Sequence, residues 1–210
     1  MSLALTILLA YVVGSIPNGL IIGKLMRGID IREHGSKNIG ATNAYRVLGA
    51  WPAFWVFLTD ALKGVAGVLI GLYAGGDGLD MIIGGIAAMA GHNWSLFLGF
   101  KGGKGVATGL GIIAVLAPLP TVCIFLVWSL IVYFTRYVSL GSVVAAMLAP
   151  VFMRIFGSSL EIIVFGIVAA FFVIIRHKPN LERLFRGEEL KIGSGGSAPS
   201  AGDAKREKGP

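Results

Sequence analysis

The chain has 210 residues, of which 55% are hydrophobic and 14% charged, and its mean hydropathy is +0.80. A soluble domain carries about 25% charged residues, so this composition excludes a water-soluble fold and points to an all-α, polytopic membrane protein organised by the bilayer. The formal net charge of +7 suits anionic lipid headgroups, and no basic patch interleaves with aromatics outside the apolar runs, so no nucleic acid partner is expected.

A helix needs about 20 apolar residues to cross a bilayer. Seven transmembrane helices are predicted in chain order: Leu3–Leu25, Trp51–Tyr73, Leu79–Gly99, Lys104–Leu116, Thr121–Phe134, Leu140–Phe156 and Leu160–Ile175. No basic flank precedes the first span and no small-residue cleavage site follows it, so it reads as a retained span and not a signal peptide. The fourth and fifth are short and separated by Pro118 and Pro120; one or both are expected to begin inside the bilayer, where protein shields the backbone. Residues 1–192 are read as one seven-helix domain. Residues 193–210, rich in Gly, Ser, Ala and charge, are read as a disordered polar tail. Cys123, the single cysteine, lies in an apolar stretch as a small membrane-buried hydrophobe.

Lysine and arginine set the orientation. Lys24, Arg27, Arg32, Lys37 and Arg46 follow span 1, Lys101 and Lys104 follow span 3, Arg136 follows span 5, and eight more follow span 7. The opposite side has Arg154, and Lys63 lies within span 2. The positive-inside rule therefore places the N-terminus outside and the C-terminus in the cytoplasm.

Three polar clusters follow odd-numbered spans and so share the cytoplasmic face. The first runs from Arg32 to Arg46. In it Ser36, Asn38, Thr42 and Asn43 offer hydrogen bonds to phosphate or hydroxyl oxygens beside Gly40, and Arg46 offers a bidentate fork. The second runs from Gly91 to Thr108 and contains Lys101-Gly102-Gly103-Lys104-Gly105. Glycines allow close backbone approach, the lysines add charge, and the helix expected next supplies a dipole, a combination that binds an anion. The loop is not a nucleotide P-loop: Leu98 stands where the first glycine is needed and Gly105 where Ser or Thr is needed. Nor is it a dinucleotide fingerprint, because Thr108 occupies the third glycine position. The third cluster runs from Arg176 to Leu184 and holds His177 and Asn180; His177 and Glu182 nearly form the His-x4-acid pattern of soluble acyltransferases. Asp60 and Lys63 lie on one helix face inside span 2, either as a structural ion pair or in support of the site. Neither a metal nor a cofactor is expected.

At these residues the chain resembles the bacterial acyl-phosphate:glycerol-3-phosphate acyltransferase family. The likeness covers about Gly14 to Glu188 and rests on Gly35-Ser36-Lys37-Asn38-Ile39-Gly40-Ala41-Thr42-Asn43, on Gly99 to Thr108, on Arg176-His177 through Asn180 to Leu184, and on Asp60 to Gly64. Lys37 stands where many members have Gly, and Trp94-Ser95 where many have an aromatic-proline pair. The resemblance implies transfer of a fatty acyl group from acyl phosphate to the 1-hydroxyl of glycerol 3-phosphate, giving lysophosphatidic acid and phosphate, in the bacterial inner membrane. Lys104, Ser36, His177 and Asn180 are expected to be catalytic. Asn38, Gly40, Thr42, Asn43, Arg46, Lys101, Gly102, Gly103, Gly105 and Thr108 are expected to bind phosphate, with membrane lipids around the acyl chain. The alternative is a membrane carrier for a phosphorylated metabolite, which the short spans 4 and 5 would suit.

Overall fold

The computed structural model describes residues 1–75 and 78–193, so the expected disordered tail lies, from residue 194 on, outside the described residues. Among those described every regular element is helical: α1 (Leu3–Ser15), α2 (Asn18–Arg27), α3 (Ala41–Leu48), α4 (Ala50–Ala74), α5 (Gly78–Asn93), a 3₁₀ turn (Leu96–Leu98), α6 (Val106–Leu116), α7 (Pro118–Thr135), α8 (Val138–Ile155), α9 (Leu160–Arg176) and α10 (Lys178–Phe185).

The expected first span is one apolar run broken at Ile16-Pro17. Proline has no N–H to continue the ladder, and at the break the Ile16 carbonyl accepts the Asn18 N–H (3.0 Å) and Lys63 Nζ of α4 (3.1 Å). Small residues then let helices touch backbone to backbone: a Cβ on Gly14 would lie 2.1 Å from the Ala88 carbonyl oxygen, and one on Gly91 2.2 Å from that of Tyr11. This crossing of α1 and α5 aligns the ends of both helices below the polar loops.

Three predicted boundaries are corrected. Span 3 ends at Asn93, not Gly99. Tyr11 Oη donates to the Trp94 carbonyl (2.6 Å), Ser95 Oγ donates to the Ser15 carbonyl, and the Leu96 N–H donates to Ser15 Oγ (3.3 Å), which draws the chain out of the helix onto the end of α1. Lys104 precedes its helix instead of opening it, since α6 begins at Val106 after Gly105. Span 5 is not short: α7 has 18 residues and starts on Pro118, because proline suits the first helical position, where no N–H is required. Span 4 is short as expected: α6 has 11 residues and rises about 16 Å against a hydrocarbon core of about 30 Å.

Apolar helical segments stand at all the predicted spans, α1 and α2 counting as one. By length and composition four can cross a membrane (Leu3–Arg27, Ala50–Ala74, Pro118–Thr135 and Val138–Ile155), and a fifth if α9 and α10, bent by 58° at their junction, are taken together. Two apolar clusters hold the bundle. One gathers Ile112, Met153, Phe165 and Val173 among α5 to α9; the other packs Ile31, Ile39, Val47 and Val56 between the first polar loop, α3 and α4. The outward face of α7 leaves Leu119, Leu126, Tyr133 and Phe134 exposed, an apolar surface that water would not tolerate and lipid covers.

Candidate active site

The loop before α3 is folded by Asn43. Its Nδ2 donates to the carbonyls of Ile31 (2.9 Å), His34 (3.2 Å) and Asn38 (2.8 Å), and its Oδ1 accepts the Ser36 N–H (2.8 Å). Asn38 Oδ1 accepts the Gly40 N–H at 2.9 Å. Lys37 adopts φ 58°, a left-handed conformation that costs a side chain about 1 kcal/mol or more. The knot turns Ser36, Thr42 and Arg46 toward a cavity of about 490 Å³. Arg46 donates through Nη2 to the Leu190 carbonyl (2.9 Å), while its Nε is buried without a protein partner.

The glycine-lysine loop lies across the end of α5. The Gly103 N–H donates to the His92 carbonyl (3.0 Å). A Cβ on Gly103 would lie 2.0 Å from His92 Nε2, and one on Gly102 2.2 Å from the His92 carbonyl oxygen. From the other side Arg176 donates Nε and Nη2 to the Gly103 carbonyl (3.0 and 2.8 Å) and Nη2 to that of Gly102 (2.8 Å). These two glycines are therefore needed for contact with α5 and Arg176, and neither lines the cavity. Lys104 does, together with Gly105, Val106 and Ala107. Gly105 takes φ 78° to start α6, whose leading N–H groups have no helical acceptor.

Past α9 the chain bends, and His177 and Asn180 join the wall. His177 Nδ1 lies 2.8 Å from the Val173 carbonyl. A carbonyl only accepts, so Nδ1 carries the proton and Nε2 keeps its lone pair. Burial, with Lys104 nearby, pushes the His177 pKa down to about 4, so the ring is neutral. Lys104 Nζ donates to Asn180 Oδ1. Asn180 Nδ2 in turn donates to Glu189 Oε1 (2.7 Å), which also accepts from Ser139 Oγ (2.9 Å), and Arg183 Nε meets Glu189 Oε2 at 2.9 Å. Burial pushes the Lys104 pKa down to about 8; Glu189 pulls it up, while Arg183, Arg46 and Arg176 push it further down.

The structure thus brings Ser36, Asn38, Gly40, Thr42, Asn43, Arg46, Asp60, Lys104, Gly105, His177 and Asn180 to one cavity. It separates others from it. Lys101 is exposed and pairs with Ser95 in an isolated bridge. Thr108 is fully buried, and its carbonyl lies against Gly64 of α4. Asn43 has its amide committed to the loop backbone. Glu182 is exposed, so no His177–Glu182 dyad forms. Asp60 and Lys63 do pair, at 2.9 Å, with Asn18 Nδ2 donating to the same carboxylate oxygen at 3.1 Å; Lys63 lies behind Asp60, away from the cavity. The sequence reading missed Glu189, Ser139, Ser142 and His92 as cavity residues. An acidic residue just past a basic amphipathic segment was the available signal for Glu189.

Arg46 and Lys104 line the polar end with Glu189 as counter-charge, and Arg176 and Arg183 lie near enough to act on Lys104. Beyond that end the same cavity continues between helices, walled by Ile113, Ile124, Phe125, Ala149 and Ala170. A cationic end joined to an apolar branch fits a ligand with an anionic head and a hydrocarbon tail. The sequence model of the family described as glycerol-3-phosphate acyltransferase matches residues 4–187. The chain belongs to that family. Among its members, glycerol-3-phosphate acyltransferase 2 of Moorella thermoacetica is 47% identical over 189 residues, covering 90% of this chain and 97% of the relative. The glycerol-3-phosphate acyltransferase of Fusobacterium nucleatum is 44% identical over 186 residues, covering 89% and 96%. Crystal structures of PlsY, an integral membrane glycerol 3-phosphate acyltransferase, in its glycerol 3-phosphate and lysophosphatidic acid forms superpose with TM-scores of 0.86 and 0.85 at 39% identity, covering 92% of this chain and 97% of each structure. The family is thus of the PlsY type, and its apolar helices make this chain a multi-pass membrane protein.

Proposed function

We propose that the chain transfers a fatty acyl group from acyl phosphate to the 1-hydroxyl of glycerol 3-phosphate, forming lysophosphatidic acid and inorganic phosphate. The observation that carries this reading is the cavity's cationic end joined to an apolar branch. Lys104, Arg46 and the opening turn of α6 hold the donor phosphate, and the acyl chain lies between helices. The acceptor hydroxyl attacks the carbonyl carbon, forming the ester C–O bond as the C–O bond to phosphate breaks. The hydroxyl proton leaves on the departing phosphate. Ser36 and the free Nε2 of neutral His177 hold the hydroxyl in line, and Asn180 keeps the Lys104 ammonium on the leaving group. An acyl phosphate is already activated, so no covalent enzyme intermediate is required.

The test uses purified protein in detergent, given acyl phosphate with and without glycerol 3-phosphate. Phosphate release that depends on glycerol 3-phosphate and matches ester formed is the expected result. Its absence would sink the reading and favour a carrier, which has no turnover without a sealed membrane.

The reading also places the site on the cytoplasmic face of the bacterial inner membrane, with seven spans and the N-terminus outside. Single cysteines at Lys37, Lys101 and Glu182, all exposed, in a Cys123→Ala background should resist an impermeant thiol reagent in intact cells and react once the membrane is opened. Labelling of any one from outside would refute the shared face.

A further inference from the structure

We propose that the apolar branch of the cavity is a ruler for the acyl chain, with Gly166 and Met153 as its floor. This rests on the acyl-transfer reading above. On α9 the wall descends from His177 past Ala170 to Gly166, and on antiparallel α8 from Ser139 to Ala149. These stretches are about eleven and about ten residues long, so both helices independently give a depth of about 15 to 16 Å. Carbon–carbon bonds of about 1.5 Å at near-tetrahedral angles advance an extended chain by about 1.25 Å each. The branch therefore takes about 13 chain carbons by that spacing.

The branch exists because its walls are small. Ala170 and Gly166 on α9 and Ala149 on α8 are buried, and longer side chains there would fill the gap. At the bottom the two helices meet. A Cβ on Gly166 would lie 2.6 Å from Met153 Sδ and 3.5 Å from Pro150 Cα. Met153 is fully buried behind Gly166, so the lining ends at Gly166 where α8 and α9 come into contact. A chain shorter than the slot leaves apolar wall uncovered; a longer one has to fold back against the floor or leave its carbonyl short of the polar end.

The experiment measures kcat/KM for glycerol 3-phosphate-dependent transfer from saturated acyl phosphates of about 8 to 18 carbons, which extend about 10 to 22 Å, using the full chain in detergent. The parent profile should climb to about 14 carbons and fall beyond, by the slot depth. Ala170→Leu places a branched side chain about 10 Å below His177, so the ratio of long-donor to eight-carbon rate should drop at least about tenfold beyond about 10 carbons. Met153→Ala removes the floor and should move the optimum about two carbons longer, by the length of the side chain deleted. A gain with longer donors cannot come from misfolding, so this second variant keeps the test decisive. If both variants scale every donor equally, or leave the profile unchanged, the chain leaves sideways past Phe54 and Phe125, which also line the cavity, and the ruler is refuted. A parent with no transfer from any acyl phosphate would instead refute the functional reading beneath it.

Discussion

Lys104→Ala should lower kcat by roughly 10² to 10³, the usual loss when a fixed charge is taken from a water-poor site, while Lys101→Ala stays near the parent. The two lysines are three residues apart, yet one donates to Asn180 on the cavity wall and the other is exposed beyond it. A pH profile adds an independent check. Lys104 titrates at about 8, so its ammonium is present below that pH and lost as pH rises through it. A phosphate monoester gains its second negative charge above about pH 6. The kcat/KM profile should therefore rise through about 6 and fall above about 8, where the lysine discharges. Lys104→Arg should abolish the alkaline fall, because a guanidinium does not titrate there. Equal, mild losses for both alanine variants would mean that the loop is a membrane anchor and the phosphate is held elsewhere.

Glu189→Gln should be the second large effect, on stability and turnover together. One carboxylate serves Ser139 and Asn180 through Oε1 and Arg183 through Oε2. A glutamine amide in either orientation turns N–H toward one of these donors. The misdirected donor costs about 1 to 3 kcal/mol, visible as a lower unfolding temperature in detergent. Asn180 then loses the bond that points its Oδ1 at Lys104, and misplacement of a catalytic group by about 1 Å is worth up to roughly 10² in rate. Arg183→Ala should be far milder, since the Arg183 side chain is 37% exposed and water replaces much of what it loses. An unchanged melting temperature and turnover in Glu189→Gln would remove Glu189 from the site's support.

The sequence made the helical outline legible because apolar run length survives into three dimensions almost unchanged. The joining of Arg46, Lys104, His177 and Asn180 followed from their shared end of the bundle. What stayed hidden is what depends on partners distant in sequence. The amides of the first cluster suggested ligand contacts, yet Asn43 is consumed in tying four backbone groups of its own loop. Gly102 and Gly103 were expected to bind phosphate, whereas their missing Cβ atoms make room for His92. Glu189 carried only a weak signal in the sequence, because its role comes from Ser139, Asn180 and Arg183, drawn from separate segments. Pro118 and Pro120 read as a separator, whereas they open α7.

The break at Ile16-Pro17 bears on how the chain is made. The first span carries into the bilayer a broken ladder in which the Ile16 carbonyl has the Asn18 N–H as a local donor (3.0 Å), and α4 carries Asp60 and Lys63 into hydrocarbon. Each segment alone is a weaker inserter, since an interrupted backbone ladder and a charge pair both oppose entry into lipid. Lys63 answers both defects at once, reaching the Ile16 carbonyl at 3.1 Å and Asp60 at 2.9 Å. The first two spans to emerge thus complete each other, Lys63 reaching the Ile16 carbonyl and Asn18 reaching Asp60, so the earliest hairpin favours one register in lipid.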